Sequence, residues 1–301
     1  MVTKILVTGA GGPAGINTIR ALKDAYFIVS TDINEYSEGF LFSHKYYLIH
    51  PAKDEENFLQ DIDKILEEEK IDIGIVTIDE ELEVFAKYYN KYKDYFILHP
   101  PDTIDICLDK YKTYEYFSNK LPEIVPEFSL NPEDLKSEAI LKKPRKGRGS
   151  KNIEVKRKNE IKKEEGFVYV EYLPGREWTV DIITDKDGIP MAIIPRVRLK
   201  TRGGISVVGK VELNERIINL SKKILEKLLF TGPLNIQFKE NDKGEPKLQE
   251  INPRFSGGLD IVTAAGINLP KILVEYWLFN KKPLSYKVLE KIYYRIWEIY
   301  Y

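Results

Sequence analysis

The sequence predicts an α/β protein in which a parallel, doubly wound sheet is followed by mixed strand-and-helix units. Three observations support this. Up to about Pro101, short apolar strands alternate with helical stretches, the pattern of βαβ units. The Pro100-Pro101 pair marks a boundary, after which strand-like runs are joined by polar turns and then lengthen. Near the end, Pro233–Gly258 reads as two alternating strands around a polar turn.

In chain order, strands are expected at Ile5–Thr8, Phe27–Asp32, Tyr46–Ile49, Ile73–Ile78 and Phe96–Leu98. Helices are expected at Ala14–Lys23, Glu55–Glu69 and Glu80–Tyr92. Asp109–Asn119 is helical in pattern, and Ala139–Lys143, Ile153–Lys156 and Phe167–Tyr172 are strand-like. Longer strands fill Arg176–Arg198, a helix covers Glu215–Leu229, and another covers Leu269–Phe279. The final KIYYRIWEIYY is β-branched and aromatic. It fits a packed C-terminal strand or, as a second reading, an aromatic surface for a homodimer.

Composition narrows the function. The 301 residues are 43% hydrophobic and carry a formal charge of -1, so no global field favours nucleic acid or an anionic membrane. The one cysteine, Cys107, lies in the apolar run IDICL and reads as a buried small hydrophobe. Without an internal disulfide, a reducing, cytoplasmic setting is expected. His44, His50 and His99 are scattered, which argues against zinc. The chain runs directly into the strand KILVTG and shows no apolar span, so neither signal peptide nor membrane segment is expected.

The hairpin carries the densest chemistry. Asn235 and Gln237 share one face, with Ile236 and Phe238 on the other; Glu250 and Asn252 share a face, with Ile251 opposite. A turn near Lys243–Gly244 sets Gln237 across from Glu250 and Ile236 across from Ile251. One face is therefore apolar, and the other gathers oxygen donors of the kind Mg²⁺ prefers.

Two glycine loops need weighing. Gly9-Ala-Gly-Gly12-Pro-Ala-Gly15 follows a strand, opens a helix and is followed by Asp32 at the end of the next strand. This approximates a dinucleotide fingerprint and supports, as an alternative, an NAD(P)-dependent oxidoreductase. It also suits a substrate anion near Gly12, or simply the turn such sheets need. Asp79 and Glu81, at the end of a strand, could meet a substrate amine or only favour the helix dipole. The second loop, Lys143-Pro-Arg-Lys-Gly147-Arg-Gly149-Ser150, joins two strands. Its amides could wrap phosphate while Lys143 neutralises it; a solvated basic turn is the other reading.

Taken together, these segments resemble the ATP-grasp superfamily, closest to the branch with the large subunit of carbamoyl-phosphate synthetase and similar carboxylate–amine ligases. The resemblance covers nearly the whole chain. Asp109-Lys110 is similar to the family's "DK" segment, whose Lys110 position contacts ATP phosphate. Lys143, Gly147, Gly149 and Ser150 resemble the strand and mobile loop that hold and cover the phosphates; Asn152 departs from a common glycine. Glu171-Tyr172-Leu173 resembles the hinge that meets adenine, with Glu177 on the ribose. Gln237, Glu250 and Asn252 match the Mg²⁺ ligands, and Arg254 the arginine that steadies the transferring phosphoryl group.

The implied fold is an ATP-grasp fold, two α+β lobes clasping ATP, preceded by a Rossmann-like parallel-sheet domain. The implied parts are residues 1–100, a small lid-bearing lobe 101–173 and a large metal-bearing lobe 174–301. The implied chemistry activates a small carboxylate with ATP and two Mg²⁺, Mn²⁺ being acceptable, as an acyl phosphate that an amine attacks. One set of ATP motifs in a chain of this length points to amino-acid-like rather than carbamoyl phosphate synthesis. Arg196, Arg198 and Arg202 are candidates for the acceptor's carboxylate or for solvent-facing charges. A non-catalytic ATP sensor would share the same ligands.

Overall fold

The computed structural model describes residues 2–147, 152–283, 285–296 and 299–300. Three sheets follow one another along the chain, of five, four and six strands. The first is parallel throughout. It runs β1 (Lys4–Thr8), α1 (Pro13–Leu22), β2 (Phe27–Asp32), β3 (Lys45–Leu48), α2 (Glu55–Glu69), β4 (Ile73–Ile75), α3 (Asp79–Lys87), α4 (Tyr89–Tyr92) and β5 (Phe96–Ile97), with strand order β3-β2-β1-β4-β5. Ile5, Leu6 and Val7 are fully buried, as a strand covered on both faces requires. α2 buries Phe58, Ile62, Ile65 and Leu66 along one stripe. The order reverses between β1 and β4, which makes that gap the natural ligand crevice.

Two expectations need correction. The single helix expected at Glu80–Tyr92 is broken at Tyr88, whose φ of -108° and ψ of 29° leave the helical region. Pro101 does not end an element but begins one. It is the first residue of α5 (Pro101–Leu108), where a missing N–H is harmless. α6 (Lys110–Ser118) follows at once. Cys107, Phe117, Leu121 and Ile124 then enter the core of the third sheet. These apolar side chains of α5, α6 and the following turn thus pack on the third sheet. Cys107 is the expected buried hydrophobe, and burial pushes its thiol pKa up.

The second sheet holds β6 (Phe128–Ser129), β7 (Ala139–Pro144), β8 (Glu154–Arg157) and β9 (Phe167–Glu171), antiparallel in the order β6-β9-β7-β8. Ile140 and Tyr169 pack on one face, while Val168 and Val170 meet Tyr114 of α6 on the other.

The third sheet is also antiparallel. It comprises β10 (Glu177–Thr184), β11 (Pro190–Arg202), β12 (Ile205–Val211), α7 (Glu215–Leu225), β13 (Pro233–Glu240), β14 (Pro246–Asn252), α8 (Leu259–Ala264), α9 (Leu269–Phe279) and β15 (Ile292–Tyr294), with strand order β14-β13-β10-β11-β12-β15. The C-terminal aromatic run does supply a strand, with Tyr294 opposite Val208.

One core joins Ile5, Val7 and Ile19 of the first unit to Ile183, Ile194, Phe255 and Leu259 of the third. His99 bolts the same two units together. Its Nε2–H donates to the Pro233 carbonyl at 2.9 Å, and its Nδ1 accepts from the Thr231 amide at 3.0 Å. Burial pushes this imidazole down to about 4, against the pull of the Pro233 carbonyl, so it is neutral at pH 7. Among the described residues, no helix is long and apolar enough to cross a membrane.

Candidate active site

β13 and β14 pair as their alternation requires. Asn235 lies opposite Asn252, Ile236 opposite Ile251 and Gln237 opposite Glu250. Ile236, Phe238, Leu248 and Ile251 are buried on the apolar side. Past Gln237 the register slips, so that Phe238 faces Leu248 and Gln249 is a bulge. The Gln249 carbonyl accepts from Tyr114 Oη at 2.6 Å and from Lys143 Nζ at 3.0 Å.

Lys143, on β7, is 3% exposed and also donates to Tyr114 Oη at 2.6 Å. Burial pulls its ammonium down to about 7; Glu250 opposes that shift and Lys110 adds to it. Lys110 is delivered by a helix cap. Asp109 accepts from the amides of Tyr111 and Lys112, and Arg145 grips the same carboxylate at 2.6 and 3.1 Å. Burial alone would raise the Asp109 carboxyl, but Arg145 and the helix amides hold it below the usual range. Lys110 Nζ then donates to the Gly147 carbonyl at 3.0 Å and lies 3.6 Å from Glu250 Oε2.

Glu250 is tuned the same way. Burial favours its protonated form, yet Lys110, Lys143, Asn252 and Arg198 together keep it below the ordinary carboxylate range. Asn252 Nδ2 donates to Asn235 Oδ1 at 3.2 Å and to Glu250 Oε1 at 3.3 Å. Gln237 Oε1 accepts from Arg198 Nη1 at 2.8 Å, and the same Nη1 lies 3.0 Å from Glu177 Oε1. Arg198 also donates to the Gly204 carbonyl, while its buried Nε has no hydrogen-bond partner among the described residues. Arg254 directs Nε and Nη2 at the two oxygens of Asp79, at 2.5 and 3.1 Å, and Nη1 at the Phe255 carbonyl at 3.1 Å. A cavity of about 260 Å³ opens among Asp79, Lys110, Gly147, Glu250 and Asn252, with Cys107 on its wall.

The sequence-derived candidates thus fall into separate groups. Lys110, Gly147, Glu250, Asn252 and Arg254 form one chain of polar contacts, Glu177, Arg198 and Gln237 form a second, and Lys143 reaches the Gln249 carbonyl beside Glu250. At the hinge, Leu173 is buried, Tyr172 is partly exposed and the Glu171 carboxylate accepts from the Glu127 amide at 2.9 Å. Gly149 and Ser150 lie outside the described residues. Arg202 is exposed beside Gly203 and Gly204, which turn the chain with φ of 55° and 76°.

Some expected contacts are already occupied. Arg196, a candidate for the acceptor's carboxylate, is 2% exposed and bonds Asp181, Ser206 and Ser256 with its Nε, Nη1 and Nη2. A guanidinium enclosed in this way is a core strut. Asp79, a candidate for a substrate amine, holds Arg254 instead. Glu81 is buried on α3.

The N-terminal glycine loop is filled by its own chain. Asp32 Oδ2 accepts from the Gly11 amide at 2.7 Å and Oδ1 from Asn34 at 3.0 Å, so the acid that would hold a ribose closes the loop instead. Gly39 presses on Ala10 so closely that a Cβ there would stand 2.3 Å from the Ala10 carbonyl. Gly12 caps α1, packed near Gly9 and Ile78.

Tyr114, Asn235 and the Gln249 carbonyl are site elements that sequence reasoning missed. Tyr114 was the most accessible, since it follows Lys110 by one helical turn.

Comparison with known proteins agrees with this geometry. Residues 163–296 match the model for the family described as ATP-grasp in the biosynthetic pathway with Ter operon. A D-aspartate ligase from Enterococcus faecium is 39% identical over 79 residues, 26% of this chain; the match spans about a fifth of that relative, 19% of its length. The fold is shared with an N5-carboxyaminoimidazole synthetase from Staphylococcus aureus complexed with ADP, at a TM-score of 0.77 and 16% identity over 95% of this chain and 80% of that one. An L-amino acid ligase from Bacillus licheniformis gives 0.71 and 14%, covering 92% and 74% of the two chains. The shared architecture is a mixed α/β fold in which a parallel five-stranded sheet precedes two antiparallel sheets. Residues 163–296, less than half of the chain, carry the match to an ATP-grasp family model, and the fold is that of the solved structures just named.

Proposed function

We propose that this chain is an ATP-dependent ligase that activates a small, amino-acid-like carboxylate as an acyl phosphate, releases ADP, and joins the acyl group to an amine. The observation that carries the reading is the meeting of β7, the start of α6 and the bulged hairpin, where Lys110 lies 3.6 Å from Glu250 and Lys143 bonds the neighbouring Gln249 carbonyl at 3.0 Å. Cations and an acid held together under burial suit a polyphosphate with its counter-ion.

In this reading Lys110 and Lys143 hold phosphate oxygens, Glu177 meets the ribose and the hinge Glu171–Leu173 meets the base. Gln237, Glu250 and Asn252 would hold Mg²⁺. The donor set fits that ion: one carboxylate and two amides leave it to be completed by phosphate and water oxygens. When bound, Mg²⁺ neutralises charge on the β- and γ-phosphates.

The chain's own residues then set up two displacements. A carboxylate oxygen attacks the γ-phosphorus as the bond to the β–γ bridging oxygen breaks, and Arg254, a permanent planar cation, steadies the three equatorial oxygens. An amine nitrogen then attacks the acyl carbon; inorganic phosphate leaves and the amine's proton passes to solvent. Positioning and charge neutralisation supply most of the rate. The occupied Asp32 and Gly39 weigh against the oxidoreductase alternative.

The test incubates the protein with ATP, Mg²⁺ and a panel of amino acids and carboxylates, with hydroxylamine as trap. ADP and a hydroxamate are expected. AMP would contradict the mechanism, and nucleotide binding without turnover on any panel member would favour an ATP-binding sensor.

A further inference from the structure

We propose that Asp79 is a positioning residue that aims Arg254 at the reacting phosphate from the first unit of the protein; the proposal rests on the ligase reading above. The two residues are 175 positions apart and come from different sheets. Asp79 opens α3 immediately after β4, at the crevice where the strand order of the parallel sheet reverses. Arg254 lies just past β14, two residues beyond Asn252.

Their contact is a fork-to-fork pair, with Nε to Oδ1 at 2.5 Å and Nη2 to Oδ2 at 3.1 Å. Two parallel hydrogen bonds fix the plane of a guanidinium as well as its place, which a single bond cannot do. The other contacts complete the frame. Nη1 donates to the Phe255 carbonyl at 3.1 Å, and Nη2 leans on Asn252 Oδ1 at 3.4 Å. The side chains are only 11% and 15% exposed, so water offers little competition for these bonds. Asp79 and Asn252, both bonded to this guanidinium, line the cavity.

The first unit therefore contributes to phosphoryl chemistry although its own glycine loop is filled. An arginine that must meet charge developing in a transition state is most useful when it needs no reorganisation to do so. Removing Asp79 leaves Arg254 cationic and in place but free to rotate about its long side chain. The loss should then fall on the chemical step and not on nucleotide affinity.

The experiment measures steady-state ADP release with Mg²⁺·ATP and the active members of the acceptor panel for wild type, Asp79→Asn, Asp79→Glu, Arg254→Met and the Asp79→Asn/Arg254→Met double variant. Thermal midpoints are read alongside. Asp79→Asn should lower kcat at least tenfold, leave the KM for ATP within about threefold, and add nothing to the defect of Arg254→Met. Asp79→Glu, which keeps a carboxylate, should regain part of the loss and serves if the Asn variant does not fold. An undiminished kcat in Asp79→Asn overturns the proposal. So does a defect that multiplies with that of Arg254→Met, since Asp79 would then act directly on a substrate. A wild-type protein that releases no ADP with any acceptor removes the ligase reading and this proposal with it.

Discussion

The two glycine-bearing turns of this protein look alike in one dimension and behave differently in three. Gly9–Gly15 ends β1, opens α1 and is followed by an acid at the next strand end, yet Asp32 and Gly39 occupy the space a nucleotide would need. The Lys143–Gly147 segment has a poorer fingerprint, yet Lys110 and Glu250 line a cavity beside Gly147, and Lys143 bonds the neighbouring Gln249 carbonyl. A glycine motif thus states only that the backbone passes close to something. In the first turn that something is the protein's own chain. In the second, Lys110 and Glu250 border open space beside the backbone.

The largest expected effect tests the second turn. Glu250→Ala should reduce ADP release on the order of 10³-fold, because several kcal/mol of charge neutralisation go with a metal-holding carboxylate. Its thermal midpoint should change little. Near-normal turnover would reduce the cleft to another filled turn.

Next in size is the bolt between the first unit and the large lobe. His99 sits at about 4 in the fold against about 6.5 in an unfolded chain. The fold therefore favours the neutral ring. Its contribution is complete above pH 6.5 and is lost as pH falls toward 4, a change of about 3 kcal/mol. Urea unfolding between pH 4 and 8 should show this slope, and His99→Gln, which can still bridge Thr231 and Pro233, should flatten it.

Gly15→Ala probes the first turn directly. A Cβ there would stand 2.1 Å from the Gly9 carbonyl. Overpacking of this kind costs about 1–3 kcal/mol. A lower thermal midpoint with an unaltered KM for ATP is expected; a selective loss of nucleotide affinity would restore a ligand role to that loop.

The smallest effect concerns proton uptake. With Lys143 held near about 7 by burial, a bound polyanion should raise its affinity for a proton. ATP affinity should therefore fall severalfold as pH rises from 7 to 9. Calorimetry in buffers of different ionisation enthalpy should detect proton uptake on binding, and Lys143→Met should abolish it.

The legible parts of this molecule are those with local causes. Alternation and the turn near Lys243–Gly244 placed Gln237 opposite Glu250, and the helical pattern of Asp109–Asn119 placed Lys110 at a helix start. The unreadable parts depend on distant partners. The Asp79–Arg254 pair needs two sheets to be docked first, and nothing near Arg196 announces that Asp181, Ser206 and Ser256 will enclose it. The bulge at Gln249 has no glycine to mark it, and Pro100-Pro101 hid a helix because proline punctuates a chain whether an element ends or begins there.

That bulge has a practical consequence for mutagenesis. One joint among α6, β7 and β14 is a main-chain oxygen, the Gln249 carbonyl, shared by Tyr114 and Lys143. No side-chain substitution at position 249 deletes it, so an alanine scan along β14 would pass over the hub without a signal. Only chemistry on the backbone itself, such as an ester in place of the amide between Gln249 and Glu250, would weaken that acceptor while leaving every side chain in place.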